Sequence, residues 1–214
     1  MKVPYFIIDP GHGAKQPGKR SPILEDGRQF IEYRSNWAIA NLLIKKMRNG
    51  GIADIEGEIS LKIAPSKAGQ MLSQRIESIN AISKRVSGNR IPICISIHSN
   101  AFGNTWSLPS GIETYYFDQP YDPAQVFNMR KAFAHALNNN LVNHVGFKNR
   151  GIKPNTTFAL LKGTSCMSFL TETGFYTNYR EVQEMLKPEF IENAAEGHYQ
   201  GCLAIAEYLK NYKP

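Results

Sequence analysis

Two stretches of this chain are apolar almost without a break, and each stops on a histidine. In "FIIDPGHG", residues 3–9 are apolar toward both sides, as in a central strand covered by helices above and below. Asp9, Pro10 and Gly11 break the run, and His12 follows between two glycines. In "IPICISIHSNA", Ile91, Ile93, Ile95 and Ile97 alternate with Pro92, Cys94, Ser96 and His98. The isoleucines therefore share one face of a strand over 91–97, and His98 ends it on the other face. Strands of this kind require helices on both sides of their sheet.

Those helices are legible. Ile39, Leu42, Leu43 and Met47 recur at helical spacing between Ser35 and Arg48, and Gly50 and Gly51 stop the helix. Further helices are expected from Gln70 to Val86, over 123–142 and over 189–211, with more strands at 111–117, 157–162 and 167–172. Strands alternating with helices imply an α/β fold. The expectation is a single catalytic domain over 1–214, with a largely parallel central sheet of about six strands and helices on both faces. A length of 214 residues suits one domain with a full core. Residues 13–31 form a long polar loop punctuated by Gly13, Pro17, Gly18, Pro22 and Gly27, and long loops in compact domains often carry function.

The formal net charge of +7 favours an anionic partner: nucleic acid, a membrane surface or an anionic polymer such as a cell wall. The basic residues are scattered, with their densest knot at Lys45, Lys46 and Arg48. No RNA-binding aromatic signature or helix-turn-helix pattern accompanies them, so no nucleic-acid partner is expected. No apolar run approaches the roughly 18 residues needed to span a bilayer. The N-terminus reaches Asp9 too soon to hold a secretory signal, so if Met1 is the natural start the chain is made in the cytoplasm. Three cysteines without a CxxC pair fit neither a disulfide framework nor a cysteine-rich zinc site.

Glu172 closes the strand of "MSFLTETGF", so His12, His98 and Glu172 all stand at carboxyl ends of strands. In open α/β sheets that edge binds ligands. Gly11 and Gly13 let the chain turn so that His12 faces the crevice. A single strand-end histidine or carboxylate is ordinarily structural; three at one edge call for another reason. Two histidines and a carboxylate are donors of hydrolytic zinc sites, which also need a further group to move protons. Cys94 lies roughly 13 Å back along the strand from His98 and cannot share its ligand shell. On spacing alone, Glu25, Asp26 or Glu32 could complete the set. Asp9 either orients His12 or forms the turn. His135, His144 and His198 lie in or near helices and read as solvated or capping residues. Tyr115, Tyr116, Phe175 and Tyr176 would line a groove or belong to the core.

"IIDPGHG", the Glu32 to Asn36 stretch "EYRSN", "SIHSNA" and "TETGF" followed by Thr177 and Asn178 resemble the motif series of the zinc-dependent N-acetylmuramoyl-L-alanine amidases. These are the peptidoglycan amidases of bacterial cell-separation enzymes and phage endolysins. The resemblance runs from Ile7 to about Tyr208 and takes in "NRGIKPNTTFALLKGT". It implies one zinc per chain, held by His12, Glu32 and His98, with Glu172 as catalytic acid/base. It further implies peptidoglycan as substrate and a monomer acting on the cell wall, through phage- or prophage-type release or after loss of a signal. Zinc would lower the pKa of a water to about 7. Glu172 would take that water's proton during attack on the lactyl carbonyl and pass it to the departing nitrogen of L-alanine. The chain departs from the commonest pattern in its longer loop at 13–31 and in Thr171, where an aliphatic residue often precedes the glutamate. A zinc carboxypeptidase is a rival, but that class places its first histidine and glutamate a few residues apart. A non-catalytic wall-binding module would have no use for Glu172. Glycoside chemistry needs an acidic pair, and the sequence places none suitably.

Overall fold

The computed structural model describes residues 2–14, 19–50, 71–118 and 122–212. In chain order the elements are β1 (Val3–Pro10), α1 (Glu32–Asn49), α2 (Leu72–Arg85), β2 (Arg90–Asn100), β3 (Ile112–Tyr116) and α3 (Ala124–Val145). They continue with β4 (Asn149–Pro154), α4 (Ala159–Gly163), β5 (Met167–Phe175), α5 (Tyr179–Met185) and α6 (Pro188–Asn211). The described sheet has five strands, not about six, in the order β1-β2-β5-β3-β4. β1, β2 and β5 run parallel, β3 is antiparallel to β5, and β4 is parallel to β3.

Strand alternation divides the core into two layers. Phe6, Ile8, Ile93, Ile95, Ile97 and Phe169 point into a large cluster covered by α1, α3 and α6. Ile7, Cys94 and Leu170 point the other way, into a smaller cluster with Ile79 and Ile82 of α2 and Leu160 and Leu161 of α4. The isoleucine face expected for β2 is thus the face of the larger layer. Helix α1 buries Ile39, Leu43 and Met47 completely, each worth about 1.5–3 kcal/mol of apolar transfer.

Three local expectations are corrected. The strand expected over 157–162 is the short helix α4, because the Asn155 carboxamide oxygen captures the amides of Thr157 (2.9 Å) and Phe158 (2.7 Å) and turns the chain. The strand lies just before it, at β4, where a polar edge sequence with Gly151 and Pro154 hides the alternation. Helix α5 was not expected; Asn178 caps it by accepting from the amides of Arg180 and Glu181. The described part of the 13–31 loop packs down through Leu24 and Phe30, both buried. Gln70, the expected start of α2, lies outside the described residues.

Candidate active site and metal centre

The smaller layer leaves the carboxyl ends of β1, β2 and β5 open, and the side chains of interest converge there. His12 follows β1 on a left-handed backbone, φ 63°, the only positive φ of a non-glycine residue among those described. Gly11 is required beside it: a Cβ there would lie 2.4 Å from the His98 ring. His98 shares the face of Cys94 and pairs in register with Glu172 of β5. Glu32 opens α1 and does not precede it, so its carboxylate sits in the helix's first turn, where the macrodipole favours a negative charge.

His12 Nε2 and His98 Nδ1 lie 3.1 Å apart, and each is 3.3 Å from Glu32 Oε1. The three ligand atoms fall within 4.8 Å of one another. The amide of Ser99 donates to Glu32 Oε1 (3.0 Å), and Asn36 Nδ2 holds both that oxygen (3.4 Å) and the Gly11 carbonyl (3.2 Å). Burial pushes the Glu32 carboxyl up, but its bonds to His12 and His98 prevail and keep it well below the usual range. Burial also lowers the His98 pKa, favouring the neutral, ligating imidazole. Two imidazoles and an ionised carboxylate with their ligand atoms this close together fit a divalent metal such as zinc.

Glu172 lines a cavity of about 300 Å³ with His12, His98 and Lys19. Its Oε2 is buried without a hydrogen-bond partner among the described residues. Burial, reinforced by the charges of Glu32 and Glu113, pushes its pKa well above the ordinary carboxylate value. Such a group can hold or release a proton. Leu72, Phe158, Leu160 and Leu170 form an apolar wall of the same cavity.

Other candidates fall elsewhere. Asp9 does not bond the His12 side chain; its carboxylate pairs with Arg75 and accepts from Ser96 Oγ (2.7 Å). His198 is neither solvated nor a helix cap: it is fully buried, between Thr171 Oγ1 (2.8 Å) and the Ala194 carbonyl (2.7 Å). His135 and His144 are exposed. Tyr116, Phe175 and Tyr176 are core residues, while Tyr115 is half-buried and donates to Glu113 Oε1 (2.6 Å).

Arg75 and Glu113 are among the buried charged residues that were missed. Arg75 stands one turn before Ile79 on the buried face of α2, and a charge at such a position was the signal. Glu113 interrupts the apolar strand "GIETYYF" and lies opposite Glu172 in the β3–β5 pair. Its Oε2 pairs with Arg150 (2.6 Å) and Lys153, and its Oε1 also accepts from Asn100 (2.7 Å).

A family model described as N-acetylmuramoyl-L-alanine amidase matches residues 6–204. The chain is 28% identical over 202 residues to the N-acetylmuramoyl-L-alanine amidase LytC of Bacillus subtilis (strain 168), covering 93% of this chain and 35% of that protein. It thus spans about a third of LytC's length. An endolysin of Bacillus phage SPP1 is 23% identical over 203 residues, 95% of this chain and 66% of the endolysin. The crystal structure of N-acetylmuramoyl-L-alanine amidase from Clostridium difficile 630 superimposes with a TM-score of 0.73 at 27% identity, covering 99% of both chains. The family match begins within β1 and ends within α6, so it takes in every side chain of the cavity described above: the chain belongs to the N-acetylmuramoyl-L-alanine amidase family.

Proposed function

We propose that this chain hydrolyses the amide between N-acetylmuramic acid and L-alanine in peptidoglycan, using one zinc per chain. His12, Glu32 and His98 hold the metal. Bound there, zinc would supply Lewis acidity for the amide carbonyl and would lower the pKa of water to near neutral. Glu172 takes the proton from the attacking water and returns it to the nitrogen of L-alanine as that leaves. The observation that carries this reading is the unpartnered Oε2 of Glu172 in the cavity that His12 and His98 also line. A carboxyl whose pKa burial raises above the ordinary carboxylate value suits both halves of that work. Leu72, Phe158, Leu160 and Leu170 give that cavity an apolar wall beside the polar groups. The net charge of +7 suits an anionic wall polymer.

The same reading makes 1–214 a single catalytic domain that acts as a monomer on the cell wall. No helix of the described residues is long and apolar enough to cross a membrane. Digestion of purified peptidoglycan tests the reaction. Free N-terminal L-alanine should appear without new reducing sugar ends. New reducing ends would make the chain a glycosidase, and new D-amino-acid termini a peptidase.

A further inference from the structure

Arg75 is 3% exposed, and its guanidinium reaches from the first turn of α2 into the turn that follows β1. Nη2 donates to the Asp9 carboxylate and to the Pro10 carbonyl, and Nη1 donates to the His12 carbonyl (3.1 Å). Asp9 is in turn held by Ser96 Oγ of β2. Neutralising Asp9 would need one contact; two of the three acceptors are carbonyls of the turn itself. That turn contains the left-handed His12. On its other side the Gly11 amide donates to the Ile97 carbonyl (2.8 Å), and Gly11 packs against the His98 ring. The turn is therefore gripped from both sides, by β2 and by Arg75.

We propose that Arg75 is a positioning residue for His12: by holding the Asp9 carboxylate and the Pro10 and His12 carbonyls together, it keeps the left-handed turn that aims the imidazole at the metal site. The proposal rests on the reading of His12 as a zinc ligand. Only an arginine can do this, because a planar fork spans several acceptors where an ammonium is a point charge. Helix α2 thereby becomes part of the metal site without supplying a ligand.

Two variants separate positioning from stability. Arg75→Met alone leaves Asp9 charged and buried and is expected to unfold the chain. The double variant Asp9→Asn/Arg75→Met removes both charges, which keeps a fold where breaking the pair does not. Arg75→Lys keeps the ion pair but not the fork. Zinc affinity would be measured on the folded proteins by competition with a chromophoric chelator, beside the metal-free unfolding midpoint and the visible spectrum of cobalt-substituted protein. Both variants should bind zinc about 10- to 100-fold more weakly than the parent, the usual loss when support of a ligand is removed. Their cobalt spectra should be altered, and the metal-free midpoint of Arg75→Lys should stay near the parent's. Parental zinc affinity in the folded double variant would overturn the proposal and leave Arg75 as a counter-ion for Asp9. Parental affinity in Arg75→Lys would overturn the need for the fork. A parent chain that binds no zinc would overturn the metal reading, and the positioning role with it.

Discussion

His198→Gln is expected to flatten the acid side of the protein's stability profile. His198 lies on α6 with its imidazole against β5, fully buried. The Ala194 carbonyl can only accept, so Nδ1 carries the proton and Nε2 accepts from the Thr171 hydroxyl. A second proton on Nε2 would face that hydroxyl, and the new charge would have no carboxylate bonded to it. Burial accordingly lowers the pKa to about 4, against about 6.5 in an unfolded chain. Between these values the unfolded chain holds a proton that the folded chain does not. Stability therefore rises with pH by about 1.4 kcal/mol per unit; the contribution is complete above about pH 6.5 and is lost as the pH falls toward 4. At pH 5.0 the deficit is about 1.5 units, or about 2 kcal/mol, a sizeable part of the ~5–15 kcal/mol typical of a domain.

The parent's profile alone does not isolate this term. Glu172 and Glu181 have pKa values raised by burial, so each favours folding at low pH and opposes it as the pH rises. Both remain in His198→Gln, and the difference between the two proteins cancels them. Urea unfolding of chelator-treated parent and variant at pH 7.5 and pH 5.0 gives that difference. At pH 7.5 the variant should be less stable by about 1–3 kcal/mol, the cost of disturbing a buried hydrogen-bonded pair. At pH 5.0 the gap should narrow by about 2 kcal/mol. A gap of the same size at both pH values would refute the reasoning, since His198 would then not be a neutral buried group whose protonation opposes folding.

Glu172→Gln should retain zinc and wall binding while turnover falls about 100- to 10,000-fold, measured as metal content and amine release on one preparation; loss of zinc would make Glu172 a ligand instead. Glu32→Ala should lose stoichiometric zinc, and chelation of the parent should abolish turnover while far-ultraviolet circular dichroism stays folded, because a core of this size does not need the metal to form. Gly11→Ala drives a Cβ to 2.4 Å from the His98 ring and should weaken zinc at least about 10-fold by equilibrium dialysis, with the ring displaced.

Three of the four candidate site residues, His12, His98 and Glu172, were legible because each stands at the end of a strand whose pattern is strong. The buried runs of β1 and β2 delivered His12 and His98 to one sheet edge, and β5 placed Glu172 beside them. Glu32 was not separable from Glu25 and Asp26 by spacing; it needed the motif resemblance, and the structure places it on the first turn of α1, held by Asn36. What stayed hidden depended on contacts distant in the chain. Arg75 meets Asp9 across 66 residues, and no local pattern announces that pairing. β4 was missed because an edge strand carries little apolar alternation, and α4 because one Asn155 side chain outweighs the strand preference of Thr156 and Thr157.

Glu113 bears on the choice of chemistry. It stands opposite Glu172 on a neighbouring antiparallel strand, where Cβ atoms are about 4.5–5.5 Å apart. Retaining glycosidases hold their two carboxyl groups about 5–5.5 Å apart, and the strand pairing brings two carboxylates close together that the sequence did not reveal as a pair. The neighbours of each carboxylate decide against that use. A glycosidase nucleophile needs an oxygen free to attack, whereas Glu113 gives one oxygen to Arg150 and Lys153 and the other to Tyr115 and Asn100. Burial raises its pKa, but the bonds from Lys153, Tyr115 and Arg150 outweigh burial and hold it below the ordinary range, so it stays ionised. It is also absent from the residues lining the cavity that His12, His98 and Glu172 share. Its remaining influence is electrostatic: a fixed negative charge beside Glu172 that, after burial and the charge of Glu32, helps raise the Glu172 pKa. The pair is thus a held anion beside a carboxyl with a raised pKa and an unpartnered oxygen, which supports the proposed hydrolysis at the His12–Glu32–His98 centre and not displacement at a sugar.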